Sequence, residues 1–364
     1  MKIKVNRKSL VKSISIAQKA ISSRTTTQIL EGILLVAKDN NLTLIASDTE
    51  ISIKTSLHCV VEKEGKIVVN SRLFGEIIRK LQDDTIDIEI NDSTMNIKCL
   101  NSEFNISIQG ADEYPELPSI NSDKIINLRS HDFIDAIRKT SFAVSIDETR
   151  IIFTGVLIDI NEEKINFVAL DGFRMALKSI KNKGCENTNI IVPAKALNEL
   201  VKIIDEEDEE LKIIIGENQL KIELKNTLFF TTLLKGEFFR YQALMYENGQ
   251  TKIETSRRDI IGSLERANLL AKEGKANLVK LESDDKYLNI SSASEGIGNV
   301  EEKVDISIEG DPIVIGFNSK YLLDGIKIMD EENITMEFKD SINPCIIREG
   351  EDFIYLVLPV RLAV

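Results

Sequence analysis

Two patterns of apolar residues alternate along this chain. In short runs apolar and polar residues take turns, which reads as half-buried strands; elsewhere apolar residues recur every third or fourth position, which reads as amphipathic helices. The first such helix spans Lys8–Ala20, followed by strands Gly32–Ala37, Leu42–Ala46, Ile51–Leu57 and Lys66–Val69. A second helix, Ser71–Leu81, leads to strands Thr85–Ile90, Met95–Leu100 and Phe104–Ile108. The same order then recurs at a spacing of roughly 124 residues. In the second copy the helices are Asp132–Phe142 and Ala194–Ile204, and strands Leu211–Ile215, Gln219–Leu224 and Leu228–Leu234 close it. In the third they are Arg258–Leu270 and Ser319–Met329, and strands Ile334–Phe338, Pro344–Arg348 and Phe353–Leu358 finish it. The polar, weakly periodic stretches Pro118–Lys124 and Tyr246–Ile253 read as linkers.

Each copy is thus two similar halves, each a helix with several antiparallel strands joined by short polar turns such as Asp39–Asn41 and Gly216–Asn218. The expected class is α+β rather than a doubly wound parallel sheet, with three similar domains at 1–120, 125–246 and 252–364. Strands end each copy and helices recur in equivalent places. Consecutive domains can therefore join sheet edge to sheet edge with their helices on one side, and a curved array with equivalent ends closes head to tail into a ring.

Composition narrows the function. A chain of 364 residues with 43% hydrophobic and 29% charged residues is an ordinary globular balance, too long for one core. With no Trp and 5% aromatics it is poorly supplied for stacking on single strands of nucleic acid. Lys12 and interspersed serines break the N-terminal stretch as a signal peptide, and no apolar run approaches the roughly 18 residues of a membrane span. A cytoplasmic protein without a membrane partner is expected. Cys59, Cys99, Cys185 and Cys345 are far apart and read as free, mostly buried thiols rather than a metal site. Only His58 and His131 are present, neither in a catalytic motif, and Gly296-Ile297-Gly298 lacks the third glycine of a phosphate loop. The acidic run Asp205–Glu210 follows a helix and reads as a solvated turn. No enzyme, cofactor or metal is expected.

The net charge of −13 opposes simple wrapping of DNA unless basic residues are gathered on one surface. The second-half helices supply such a pattern. Aligned on Phe74, Leu197 and Leu322, they place Arg72, Lys195 and Lys320 in one column, with Arg79, Lys202 and Lys327 seven residues on, along one face away from the apolar stripe. In one helix this is simply a solvated face laced with ion pairs, and Glu76, Glu199 and Asp324 stand at i+4 to make them. Three repetitions favour a shared surface that meets phosphates without reading bases. The first-half helices add Arg138, among others, and the turn Ser22–Thr27 adds Arg24.

Five motifs carry a resemblance to a known family: Ser23-Arg24-Thr25 with Ile29-Leu30, Gly110-Ala111-Asp112-Glu113-Tyr114-Pro115, Asp171-Gly172-Phe173-Arg174, Gly316-Phe317-Asn318 and Leu358-Pro359-Val360-Arg361-Leu362. In order and spacing the chain resembles the DNA polymerase III beta subunits, the bacterial sliding clamps, from Met1 to Leu362. The resemblance implies the DNA clamp fold, a head-to-tail homodimer around double-stranded DNA, and processivity for a replicative polymerase. It also implies a peptide pocket between the second and third domains, made by Arg150, Phe153, Leu170, Gly172, Arg174, Met175, Leu244, Asn318, Tyr321, Val357, Leu358, Pro359, Val360 and Arg361. Such a pocket takes short linear motifs of the polymerase III alpha subunit, the clamp loader, other polymerases and repair proteins. Phe104 and Ile106 would meet Leu269 and Leu270 at the dimer contact. Phe173 and Phe239 stand where family members carry His and Pro, Ala243 replaces a basic residue, and Ala363-Val364 extend past the usual end.

Overall fold

A computed structural model describes residues 1–22, 27–182, 184–205, 210–246 and 249–362, with backbone alone at 275. Arg24, residues 206–209 of the acidic run and Ala363-Val364 lie outside the described residues. Contacts gather the chain into two compact units, Met1–His131 with Lys195–Leu233 and Asp132–Ala194 with Leu234–Val364.

The first unit is built on a 13-stranded antiparallel sheet. Its second-copy strand Thr227–Thr232 pairs with Ile51–His58 in the register Thr227↔Thr55 to Thr231↔Ile51, so two successive copies share one sheet. Helix α1 (Arg7–Ala17) packs on Ile51–His58 and on α2 (Ser71–Lys80). Both start where a strand ends in asparagine: Asn6 Oδ1 accepts from Ser9 N at 3.1 Å and Asn70 Oδ1 from Leu73 N at 3.0 Å, satisfying free N–H groups of the first turn. Leu10 and Ile14 of α1 and Phe74 and Ile78 of α2 are fully buried. α4 (Ala194–Val201) falls in this unit apart from its first residue, and stops three residues earlier than its apolar pattern suggests because 202–203 form a turn.

The second unit repeats the scheme on a 12-stranded sheet. Here Phe353–Val357 pairs with Arg174–Lys181, from Phe353↔Lys178 to Val357↔Arg174. α5 (Arg257–Ala271) packs on Tyr287–Ser294, Gly298–Glu309 and α6 (Ser319–Ile328). α3 (Ser130–Thr140) brings Lys139 into an almost enclosed ion network. Its Nζ lies 2.5 Å from Glu349 and 3.1 Å from Asp330, Arg138 reaches Asp330 at 2.7 Å, and Lys178 bridges Asp135 and Asp352 at 3.2 and 2.7 Å. The other Glu349 oxygen accepts the backbone N–H groups of Asp330 and Glu331.

Strands Lys2–Asn6, Ile125–Arg129 and Thr251–Ser256 precede α1, α3 and α5, and the third corrects the reading of Tyr246–Ile253 as a linker throughout. Thr251, Ile253 and Thr255 all turn inward there, and two threonines hide the alternation. Val60–Lys63 and the 12-residue Gly298–Glu309 are further strands. In Gly298–Glu309 the intermediate position Glu302 is held by Arg266 at 2.6 Å, so a charge stands where an apolar residue would have revealed the strand.

Candidate peptide pocket and basic helix faces

The turn Asp171-Gly172-Phe173-Arg174 organises the pocket. Asp171 Oδ1 accepts the N–H groups of Phe173 and Arg174 at 2.8 and 3.0 Å, a side-chain-closed turn, and Gly172 takes φ +94, which glycine adopts without strain. The Arg174 side chain, 9% exposed, then donates from all three nitrogens: to Asp171 at 3.0 Å, to Asp324 at 2.6 Å and to the Phe142 carbonyl at 3.1 Å. It stacks 4.7 Å from the centre of the Tyr321 ring, whose other neighbour is Phe173 at 6.0 Å. Burial works against its charge, but Tyr355, Asp324 and Asp171 prevail and hold the guanidinium above its ordinary value. The Tyr355 hydroxyl donates to the Tyr321 carbonyl at 2.7 Å, fixing α6 over this group.

Below lies an apolar cluster in which Leu170, Met175, Leu177, Tyr241 and Leu356 are buried and Phe153, Phe238, Leu244 and Leu358 are partly open. Arg150 donates to the Asp171 carbonyl at 3.3 Å and lies 5.6 Å from the Phe153 ring, which meets Phe238 edge-on. The C-terminal strand is tied in by Leu358 N to Phe173 O and Val360 N to Gly316 O, each 2.8 Å. A Cβ at Gly316 would come within 2.8 Å of the carbonyl oxygen of Val360, so glycine is needed for the approach.

Most residues expected for the pocket therefore gather around one surface: Arg150, Phe153, Gly172, Arg174, Leu244, Tyr321 and Leu358, with Pro359 and Val360 at the rim. Met175 and Val357 are 0% exposed and support it from beneath. Asn318 spends its side chain capping α6, and Arg361 is exposed. Met175→Ala is expected to cost about 2–5 kcal/mol of stability by leaving a cavity; an unchanged melting temperature would show that the cluster closes over the gap. Asp171, Phe142, Phe173, Phe238, Asp324 and Tyr355 were not among the expected site residues. The sequence pattern assigns Asp324 to a helix-face pair, and its use by Arg174 across 150 positions leaves no local trace in the sequence.

The basic columns are exposed, on their helices except for Lys202, which falls in the turn just after α4, and mostly within reach of acids. Arg72 pairs with Glu76 at 3.1 Å, Lys195 with Asp48 at 3.3 Å, Lys202 with Glu199 at 2.6 Å and Lys327 with Glu265 at 2.6 Å. Arg79 meets Gln18 at 3.0 Å, and Arg138 pairs with Asp135 and Asp330. Lys320 is exposed and forms no ion pair with a described residue. Of the three acids expected to serve their helix neighbours at i+4, only Glu76 does so, Glu199 reaching forward to Lys202 and Asp324 belonging to Arg174. Exposed pairs of this kind contribute about 0–1 kcal/mol.

Phe104 is 38% and Leu269 60% exposed, while Ile106 is buried and Leu270 half-buried. Phe104 sits on strand Ser102–Gln109, which is paired along one side but on the other only at Ile108 and Gln109. In the second unit Gly298–Glu309 is likewise paired on its second side only from Ile306 to Glu309.

Among the described residues no group of three or more His, Cys, Asp or Glu is placed to hold a metal ion, and no helix is long and apolar enough to cross a membrane. The chain matches the N-terminal, central and C-terminal domains of the DNA polymerase III beta subunit over residues 1–118, 127–239 and 242–361. It is 36% identical over 376 residues to the beta sliding clamp of Bacillus subtilis, covering 99% of this chain and 100% of that protein. The Staphylococcus aureus beta sliding clamp is 35% identical over 374 residues, covering 99% of each. The crystal structure of the Bacillus subtilis sliding clamp superposes with a TM-score of 0.95 at 36% identity over 100% of both chains. A Bartonella birtlesii sliding clamp bound to griselimycin does so with 0.94 at 26% identity, also over 100% of both. With full-length matches in sequence and the same three-domain clamp fold, the chain belongs to the DNA polymerase III beta subunit family, the bacterial sliding clamps.

Proposed function

We propose that this chain is the ring-forming subunit that encircles duplex DNA without sequence preference and tethers a replicative polymerase to it. It is a sliding clamp, a non-catalytic processivity subunit. The observation that carries the ring is the repeated junction: Thr227–Thr232 joins Ile51–His58 as Phe353–Val357 joins Arg174–Lys181. One strand of each kind, Ser102–Gln109 and Gly298–Glu309, is left with an open edge. Those edges suit a second copy of the chain, giving a head-to-tail homodimer with Phe104, Ile106, Leu269 and Leu270 at the contact. Three domains at 1–120, 125–246 and 252–364 fit that arrangement.

The pocket around Arg174 suits an extended peptide with a Gln head and a Leu/Phe tail, the apolar cluster taking the tail and the Arg150–Asp171–Arg174 group offering polar anchors. Its partners in this reading are the DNA polymerase III alpha subunit, the clamp loader, and other polymerases and repair proteins in the cytoplasm. Exposed Phe173, stacked on Tyr321, widens the apolar rim.

Arg72, Arg79, Arg138, Lys195, Lys202, Lys320 and Lys327, with Arg24, are the phosphate contacts of this reading. Weak contacts let the ring slide, and closure rather than affinity keeps it on DNA, which reconciles the role with a net charge of −13. Reversing Arg79, Lys202 and Lys327 to glutamate is expected to weaken loading and sliding, with the salt dependence shallower by about one per lost contact, while dimerisation persists. Unchanged behaviour on DNA would count against these faces.

A further inference from the structure

The two internal junctions are regular enough to give the register of the third, between subunits. This step rests on the head-to-tail reading above. Counting from the residue before each first-half helix, the ladders run Asp87↔Lys98↔Glu103, Lys212↔Glu223↔Leu228 and Thr335↔Arg348↔Ile354, so Glu103, Leu228 and Ile354 are equivalent. On the receiving side, Leu35↔Leu44↔Thr55, Ile158↔Phe167↔Lys178 and Leu281↔Ile290↔Glu302 make Lys54, Leu177 and Glu301 equivalent.

The internal junctions pair Leu228 with Lys54 and Ile354 with Leu177, and one step along they pair Phe229 with Ile53 and Tyr355 with Ala176. The same register between subunits sets Phe104 against Val300 of the partner subunit, again an aromatic ring against an aliphatic side chain. A second feature recurs: Ser56 N donates to Asn226 O at 3.0 Å and Ser179 N to Asp352 O at 2.7 Å. The counterpart is Asn101 O accepting from Lys303 N of the partner subunit. Beside Phe104, however, the register produces what neither internal junction has.

We propose that Glu103 faces Glu301 of the partner subunit directly across the seam, and that this like-charged pair loosens the ring where it must open. Like charges opposite one another on antiparallel strands are destabilising. Glu103 is held by Asn96 at 2.7 Å and Lys98 at 3.2 Å, hydrogen bonds that keep its carboxyl below the usual range and therefore charged. Glu301 is exposed and forms no ion pair with a described residue. Lys303, next on the same face, is drawn to the Tyr287 ring at 5.7 Å. The internal junctions, never opened, have Leu with Lys and Ile with Leu at this position; the seam alone carries two carboxylates.

The test is subunit exchange between donor-labelled and acceptor-labelled full-length dimers at low ionic strength. Glu301→Lys, which disturbs no internal ion pair, is expected to slow exchange about fivefold. Glu103→Lys is expected to slow it too, less so because it meets Lys98, and the double variant to return to near the wild-type rate. Exchange unchanged or faster in Glu301→Lys, or slowing that adds up in the double variant, would overturn the facing pair while leaving the dimer intact. Absence of energy transfer at any concentration would instead overturn the head-to-tail reading itself.

Discussion

Lys139→Ala is expected to lower the stability of the second unit by about 3–5 kcal/mol, the cost of leaving a buried charge without its partner. Lys139 and Glu349 are 5% and 6% exposed, so solvent does not replace the missing ammonium. Burial opposes the charge on Lys139, but its hydrogen bonds to Glu349 and Asp330 and the nearby Asp135 outweigh it and raise its proton affinity. Its contribution is thus complete at neutral pH and lost only as pH rises through that raised value. Asp330 behaves oppositely: its hydrogen bond from Arg138 depresses its carboxyl, so its contribution is present above about pH 4 and lost as pH falls through the depressed value. Thermal melts across pH check both statements. Lys139→Met with Glu349→Gln keeps an acceptor for Asp330 N and Glu331 N while removing both charges. It should recover part of the loss; a double variant no better than Lys139→Ala would mean that another contact of the lysine, such as its ammonium 5.5 Å from the centre of the Phe353 ring, dominates.

Arg174→Ala is expected to weaken binding of a peptide with a Gln head and Leu-Phe tail at least 30-fold, the scale of an interface hot spot of about 2 kcal/mol or more. The guanidinium ties together the polar side of the site: the Asp171 turn, Asp324 on α6, the Phe142 carbonyl and the Tyr321 face. Without it two carboxylates lose their partner, and Tyr321 and Phe173 lose the plane that aligns them. Arg174→Lys keeps the charge but not the planar fork and should recover little. Fluorescence anisotropy measures the affinity, with subunit exchange as the control that the ring survives. Equal binding by wild type and Arg174→Ala would remove the pocket from this position.

The repeat was legible because three copies place Phe74, Leu197 and Leu322 at the same step of an amphipathic helix, and all three are buried. Strands with strong alternation, such as Ile51–His58, were equally plain. Two strands escaped where the inward residue is not apolar, Thr251 and Thr255 in one and Glu302 in the other, whereas Lys2–Asn6 and Ile125–Arg129 turn only Ile3 with Val5 and Ile126 with Leu128 inward, too few alternations to stand out. The pocket's apolar members and Arg174 followed from family resemblance. Neither pattern nor resemblance showed that Arg174 is clasped by Asp324, since a contact between residues 150 positions apart depends on two strands and a helix first being in place. The Lys139–Glu349 network is hidden for the same reason, its partners being 210 positions apart.

The central claim is topological linkage. The clamp is loaded on nicked circular DNA with the cognate clamp loader and ATP, washed at high salt, and its retention measured before and after the circle is cut. Retention that is lost on cutting is the expected result, because exposed basic contacts are screened at high salt and only closure holds the ring. Retention that persists on the linear product would mean that affinity, not encirclement, keeps the protein on DNA, and would contradict the account.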